Sequence, residues 1–167
     1  VGPWTFHQRI NTGARFPQVE ELVPREASIT ARFEIPRADR EFLARNLPKM
    51  PGEQEYNWPV TVDLNGKVVL RSWQPGQTRV TELVLSRAAR SGEPVRFNTN
   101  RRYLLRAAEL GFDHVHVVSP KAPVLCQDEH RKYLWALLDP ESAIAPADET
   151  IRIESPVAGA IADSGSN

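Results

Sequence analysis

The sequence predicts an α+β fold in which one βαβββ unit occurs twice. Two observations support this. First, the order of strand and helix patterns in residues 28–87 recurs in residues 94–139. Second, the strand segments alternate apolar and polar residues, while each helical segment is apolar on one side only. A fixed order of elements repeated within 167 residues indicates a duplicated fold.

The first repeat contains one strand, one helix and then three strands. Their predicted positions are residues 28–35, 37–47, 59–64, 67–73 and 79–86. Pro36 precedes the helix, in a position where a first-turn proline is tolerated. Asn65-Gly66 separates two alternating runs and predicts a tight hairpin, because both central positions of that turn need a positive φ.

The second repeat follows the same order. Its elements are predicted at residues 94–98, 101–110, 114–118, 123–128 and 133–138. Ser91-Gly92 marks the seam between the two repeats. From Pro140 onward the residues become small, acidic and rich in proline. Ile151–Ile153 could form a short strand there, but Ser155–Asn167 has the composition of a disordered segment.

Composition narrows the class of protein. Acidic and basic residues balance at a net charge of zero, so any contact with nucleic acid must be confined to one face of the fold. A single cysteine, Cys126, leaves no internal disulfide and fits a reducing cytosol. No apolar run approaches the roughly twenty residues of a membrane span, and the N-terminus lacks a signal-peptide pattern. We therefore expect a cytoplasmic protein without a membrane partner. The chain begins on a strand-like segment, which indicates a piece of a longer protein.

Both predicted helices carry arginines opposite their apolar faces. In the first helix these arginines are Arg37, Arg40 and Arg45, and in the second they are Arg102 and Arg106, with Arg101 at the edge. Two interpretations stay open at this point. The arginines could form solvated surfaces with pairing inside each helix, or the matched helices could share a basic surface that follows a phosphate backbone.

Several segments resemble a known family. Ala14–Pro24, ARFPQVEELVP, resembles the linker between the second and third domains of the bacterial DNA polymerase III β subunit, the sliding clamp. Phe97-Asn98, followed by Tyr103-Leu104-Leu105, resembles the opening of the last helix in that family. Ala122–Leu125 and Tyr133–Leu138 fall where its closing strands belong. The resemblance covers roughly residues 4–140.

The resemblance implies a domain organisation and a function. Residues 1–24 would be the last strand of a preceding clamp domain and the linker, residues 25–140 a clamp domain, and residues 141–167 a flexible tail. Clamp domains place two helices on the inner wall of a ring that closes head to tail around duplex DNA. DNA polymerase and other replication proteins dock on the ring through short peptide motifs. The clamp itself catalyses nothing and needs no cofactor.

The family pattern implies two sites. The DNA-facing residues would be Arg37, Arg40, Arg45, Arg101, Arg102 and Arg106. The groove for partner peptides would be lined by Pro17, Leu22, Pro123, Leu134 and Ala136. The sequence departs from the family near this groove. Glu21 stands where many clamps carry a basic residue, and Leu137–Pro140 replaces the usual Pro-Met-Arg-Leu ending. Peptide specificity is therefore expected to differ from that of ordinary clamps.

Two other functions remain possible from sequence. One is a scaffold that uses the duplicated fold to bind proteins without contacting DNA. The other is a small metalloenzyme built on His114, His116 and Cys126, with His130 nearby. The spacing of these residues matches no zinc motif, and no nucleophile or phosphate-loop motif is present. We therefore assign no catalytic or metal-binding residue. The tryptophans are expected to pack against the sheets rather than stack on bases.

Overall fold

The structure, a computed structural model, describes residues 13, 18–53 and 55–157. It contains two α-helices and ten β-strands in this part of the chain. In chain order these are β1 (Ala31–Glu34), α1 (Arg37–Asn46), β2 (Pro59–Asp63), β3 (Val68–Ser72), β4 (Val80–Leu85), β5 (Ala89–Gly92), β6 (Arg96–Asn100), α2 (Arg101–Glu109), β7 (His114–Val117), β8 (Val124–Gln127), β9 (Lys132–Trp135) and β10 (Thr150–Glu154). Both predicted βαβββ repeats are confirmed.

The strands form two five-stranded sheets, and the two repeats exchange their first strands. Sheet I has the order β5-β1-β7-β8-β9, and sheet II has the order β10-β4-β3-β2-β6. Thus β1 of the first repeat pairs with β7 of the second, and β6 of the second pairs with β2 of the first. Because of this exchange, each repeat completes the sheet of the other.

The core lies where the two sheets and the two helices meet. Leu43 and Leu47 of the first helical segment are fully buried, and Leu104 and Ala107 of α2 are at most 2% exposed. Helices α1 and α2 contact each other. The predicted arrangement, with the helices side by side rather than on opposite faces of one sheet, is therefore confirmed.

The predicted seam between the repeats is itself a strand. Ser91 and Gly92 belong to β5, which pairs antiparallel with β1. Gly92 has a φ of 82°, and a Cβ on it would come within 2.1 Å of the Thr30 carbonyl oxygen. Only glycine fits there. A Ser-Gly pair is a typical turn signal, which explains why the sequence pattern did not predict a strand.

The prediction of a flexible tail is wrong for residues 141–157. After β9 the chain crosses the outer face of sheet II, where Ile144 N donates to Thr61 Oγ1 at 2.8 Å and Asn98 Nδ2 donates to Ser142 Oγ at 2.7 Å. The chain then forms β10, which pairs parallel with β4. The short strand predicted at Ile151–Ile153 is confirmed. Acidic and proline-rich composition indicated disorder, but hydrogen bonds to the sheet hold the segment. No helix in the described ranges is long and apolar enough to cross a membrane.

Candidate nucleic-acid interface and peptide groove

The two helices present a positively charged surface. We call the five arginines Arg37, Arg40, Arg45, Arg102 and Arg106 the helix arginines. Against them α1 and α2 carry two exposed acidic residues, Glu41 and Glu109. The remaining helical carboxylate, Asp39, is fully buried and accepts from the Arg87 backbone N–H at 3.0 Å. The two helices thus carry more basic than exposed acidic residues, on a chain that has no net charge. That their arginines share one surface stays a prediction.

The arginines of α1 are held to different degrees. Arg37 Nε lies 2.9 Å from Glu41 Oε1, but the two side chains are 86% and 56% exposed, so solvent screens this pair. Arg45 Nε donates to the Glu41 carbonyl at 3.1 Å. Arg40 is half-buried and donates to the Ile35 carbonyl at 2.8 Å. Arg37 and Arg45 therefore remain available to a phosphate.

The first turn of α2 is fixed by a cap and by Trp58. Asn100 caps the helix, its Oδ1 accepting from the Arg102 backbone N–H at 2.9 Å. The Arg102 guanidinium carbon lies 3.8 Å from the centre of the Trp58 ring. This contact orients Arg102 while leaving the side chain exposed. It also covers one ring face, which agrees with a packing role for Trp58. Arg106 forms a longer pair with Glu109, at 3.6 Å.

Arg101 is not a surface residue, so its predicted DNA-facing role is wrong. It is 1% exposed, and its guanidinium donates to the carbonyls of Leu47, Met50 and Pro51. These three carbonyls follow the end of α1. Burial lowers the pKa of Arg101, but an arginine stays charged in proteins. Arg101 therefore ties the start of α2 to the segment that follows α1. A sequence pattern could not show this, because an arginine at a helix start reads as exposed.

Four of the five residues predicted to line the peptide groove are described by the structure. Leu22, in a 3-10 helix (Val19–Leu22), is 57% exposed. Pro123 and Leu134 are half-buried and Ala136 is exposed, whereas Pro17 lies outside the described residues. A hollow of about 380 Å³ is lined by Val19, Glu20, Val23 and Lys132. The linker therefore lies next to the edge strand β9, with an opening between them that has apolar walls and a charge of each sign. None of the four described groove residues is among those that line this opening, so the groove stays a prediction.

The residues of the metalloenzyme alternative do not come together. Val115 pairs with Cys126 across β7 and β8, and both side chains belong to the core. His114 and His116 alternate with Val115 and so point to the opposite face of the sheet. His116 Nδ1 accepts from Arg32 Nε at 3.3 Å. Burial raises the pKa of the Cys126 thiol to about 12, so the thiol is an unreactive core group. Among the described residues there is no cluster of three or more metal-ligating side chains.

A buried charge network was missed at the sequence level. Arg71 lies 2.5 Å from Asp63 and 2.6 Å from Glu82, and all three side chains are at most 8% exposed. Arg96 also contacts Asp63, at 3.0 Å. Burial alone would raise the pKa of Asp63, but hydrogen bonds from Arg71, the Asn65 backbone and Arg96 lower it overall. These residues alternate with core residues along their strands, so the sequence pattern predicts that they face solvent. They are buried because the tail crosses this face of the sheet, which the sequence pattern did not predict.

Comparison with solved structures places this architecture among sliding clamps. The DNA polymerase III β subunit of Thermotoga maritima matches with a TM-score of 0.61 and 13% identity, over 75% of this chain and 35% of that chain. The β subunit from the DNA polymerase of Streptococcus pyogenes matches with a TM-score of 0.61 and 16% identity, over 75% and 35%. The Caulobacter crescentus β sliding clamp, solved with polyethylene glycol bound at a putative β-motif tethering region, matches with a TM-score of 0.60 and 19% identity, over 75% and 34%.

The likeness is one of fold. No family model matches the chain, and no curated protein matches it either. The chain spans about a third of the length of the clamps it matches. The strand exchange between two βαβββ repeats, the paired helices and these matches lead to one conclusion. The chain has the fold of a bacterial sliding-clamp domain.

Proposed function

We propose that this chain is a domain of a DNA sliding clamp, which encircles duplex DNA and tethers replication proteins through short peptide motifs. The observation that carries the proposal is the pair of contacting helices α1 and α2, whose exposed residues include four of the helix arginines, Arg37, Arg45, Arg102 and Arg106, against Glu41 and Glu109. In the proposed ring these helices line the inner wall. The contacts would be to phosphates and independent of sequence, since a protein that slides gains nothing from reading base edges. Chromosomal DNA as the partner implies the cytoplasm of a bacterial cell.

The charges on the helices fit a sliding contact. Few of them are neutralised by strong pairs: Arg37 and Arg106 have exposed partners only, and Arg102 lies on an aromatic ring. A few phosphate contacts give weak affinity at physiological salt. The isolated domain should therefore bind DNA poorly, and retention should require closure of the full-length protein into a ring by head-to-tail self-association.

Charge reversal tests the inner wall. We expect Arg45→Glu, Arg102→Glu and Arg106→Glu together to reduce retention of the full-length ring on DNA and to flatten its dependence on salt. The matched control is Lys67→Glu, Arg79→Glu and Lys121→Glu together, because it also reverses three charges and all three residues are exposed in turns between strands. Unchanged retention in the helix variant would instead support the protein-binding scaffold without a DNA role.

The groove beside the linker is the proposed docking site for DNA polymerase and other clamp-binding proteins. Leu22 belongs to the same 3-10 helix as Val19 and Glu20, which line the hollow, and supplies exposed apolar surface beside it. Leu134 of β9 stands at the edge of sheet I. An extended peptide would place one or two apolar anchors in such a groove. Glu20, which lines the hollow, and its exposed neighbour Glu21 would repel acidic flanking residues, so we expect a preference for neutral or basic flanks.

A substitution at Leu22 tests the docking site. Leu22→Asp in the full-length protein should weaken binding of a clamp-binding peptide at least about tenfold, because it puts a charge where an apolar anchor binds. Leu22→Met should keep binding, and Val157→Asp changes an equally exposed apolar residue elsewhere. If Leu22→Asp binds as well as the parent, the groove is not the docking site.

A further inference from the structure

Arg102 differs from the other helix arginines in what its side chain contacts. Each of the other four either pairs with a glutamate or donates to a backbone carbonyl. The Arg102 guanidinium lies on an aromatic ring instead, with its central carbon 3.8 Å from the centre of the Trp58 ring. Among the described residues, none accepts a hydrogen bond from this guanidinium. Its N–H donors therefore remain available to a ligand.

The ring that supports Arg102 belongs to a residue with a strained backbone. Asn57 has a φ of 66° and Trp58 a φ of 46°, and in the described part of the chain these are the two residues other than glycine with a positive φ. For a bulky side chain this conformation costs free energy, so it persists only where the surrounding contacts impose it. Strain of this kind is concentrated at functional positions of proteins.

The buried Arg101 supplies the contacts that impose this conformation. Its backbone N–H donates to the Trp58 carbonyl at 3.0 Å, and its Nε donates to the same oxygen at 3.4 Å. Its guanidinium carbon lies 5.9 Å from the centre of the Trp58 ring. The same guanidinium also donates to the carbonyls that follow α1. One buried side chain thus binds both ends of the connection between α1 and β2, and it fixes the ring on which Arg102 lies.

The equivalent place in the other repeat has the backbone contact but not the side chains. Trp58 precedes β2, and Asp113 precedes β7; the Asp113 carbonyl accepts from Ile35 N at 2.7 Å. An aspartate therefore stands where the ring is. The second residue of α1 is Ala38, whereas the second residue of α2 is Arg102. The supported arginine is thus an addition to one helix and not a consequence of the duplicated fold.

We propose that Arg102 is the principal phosphate-binding residue of the two helices, and that Trp58 and Arg101 are positioning residues that hold its guanidinium in place. An arginine that is already ordered loses less conformational freedom when it binds. Its planar guanidinium can then donate two parallel hydrogen bonds to one phosphate of the duplex backbone. The inference rests on the proposed clamp function and deepens it, since it ranks the arginines of the same helices.

The test measures binding of the full 167-residue chain to a short DNA duplex of mixed sequence, by fluorescence anisotropy at several low salt concentrations. Arg102→Gln is compared with Arg37→Gln, a change at an exposed arginine in the first turn of the other helix. Both variants remove one positive charge, so the difference between them isolates the contact. We expect Arg102→Gln to bind at least about threefold more weakly than Arg37→Gln, and to lower the slope of log K against log salt by about 0.9 relative to the parent, the value for one phosphate contact.

Variants of Trp58 then test the positioning role. Trp58→Leu removes the ring and should weaken binding, whereas Trp58→Phe keeps a ring and should keep most of the binding. In the Arg102→Gln background Trp58→Leu should have no further effect, because the ring acts through Arg102; a role in the fold alone would leave its effect unchanged there.

A measurement on the parent without DNA keeps the test independent of whether Trp58→Leu folds. The Trp58 ring should shift the side-chain protons of Arg102 upfield in the NMR spectrum, because they lie over the ring face.

Three results would overturn the inference. They are binding by Arg102→Gln that is no weaker than binding by Arg37→Gln, an effect of Trp58→Leu that persists in the Arg102→Gln background, and Arg102 side-chain protons without an upfield shift. A parent chain that does not bind the duplex at low salt would also overturn the phosphate contacts proposed for α1 and α2. Retention of the full-length ring on circular DNA tests the clamp function separately, because one phosphate contact does not decide it. Retention together with any of the three results overturns this inference alone.

Discussion

The outer faces of the two sheets carry similar charged residues in very different surroundings. On sheet I, Arg32 pairs with Glu26, and their side chains are 42% and 71% exposed. On sheet II, Arg71 and Asp63 are 7% and 4% exposed. The difference follows from the tail, which crosses sheet II between Ser142 and β10 and turns a surface into an interior. Duplication thus supplied two equivalent sheets, and the segment after β9 made them unequal.

The two helices differ in the same way at one position. Arg37 and Arg101 are the first residues of α1 and α2, but the Arg37 side chain is 86% exposed and Arg101 is 1% exposed. Arg101 meets the carbonyls that follow α1, whereas Arg37 meets only Glu41. A repeat in sequence pattern therefore predicts position in the fold but not exposure.

The largest expected effect is a difference in the free energy of unfolding between variants of the two sheets. Arg71→Met should lower the free energy of unfolding by about 3–5 kcal/mol, because it leaves Asp63 and Glu82 buried without their partner. Arg32→Met, which breaks an exposed pair, should cost less than about 1 kcal/mol. Urea unfolding followed by tryptophan fluorescence measures both. Equal effects would mean that the tail does not seal sheet II in solution.

The next largest effect is a difference in the free energy of unfolding between variants at the first residues of the two helices. Arg101→Leu should cost on the order of 3 kcal/mol, because several buried carbonyls lose a charged donor. The same change at Arg37 should stay within about 0.5 kcal/mol, as for most surface sites. The same urea titration compares them. A cost at Arg101 as small as that at Arg37 would contradict the assignment of Arg101 to the interior.

The smallest effect concerns pH and sheet I. Burial, together with the neighbouring Arg32, lowers the pKa of His116 from its ordinary value of 6.5. Below pH 6.5 the His116 imidazole binds a proton in the unfolded chain but not yet in the native state. The free energy of unfolding should therefore fall as the pH drops from 6.5 towards the native pKa. His116→Gln should flatten this part of the profile. His130→Gln, at an exposed histidine in the turn between β8 and β9, should leave it intact. Identical profiles for the parent and His116→Gln would remove His116 as the cause.

Much of the fold could be predicted from sequence because local pattern determines it. Alternation along the strands, the Asn65-Gly66 hairpin signal and the one-sided helices specify all ten elements of the two repeats. Strand β5 was missed because Ser91-Gly92 has the composition of a turn, and the packing of the tail was missed because its hydrogen bonds are to residues distant in sequence, such as Thr61 and Asn98.

The candidate sites were less predictable. A helical wheel separates apolar from polar faces, and it correctly left Arg37, Arg45, Arg102 and Arg106 exposed. It could not show that Arg101 would meet the end of α1, since that contact depends on how the helices sit on the shared core. The network around Arg71 could not be predicted either, because the periodicity of a strand does not show which segment covers the outer face of sheet II.

Encirclement of DNA is the central claim, and topology tests it most directly. The full-length protein is closed on nicked circular DNA, washed at high salt, and the DNA is then cut once with a restriction enzyme. A ring should stay on the circle through the wash and be lost on linearisation, because it can slide off the ends but holds the duplex by few contacts. Equal retention on circular and linear DNA would contradict the account.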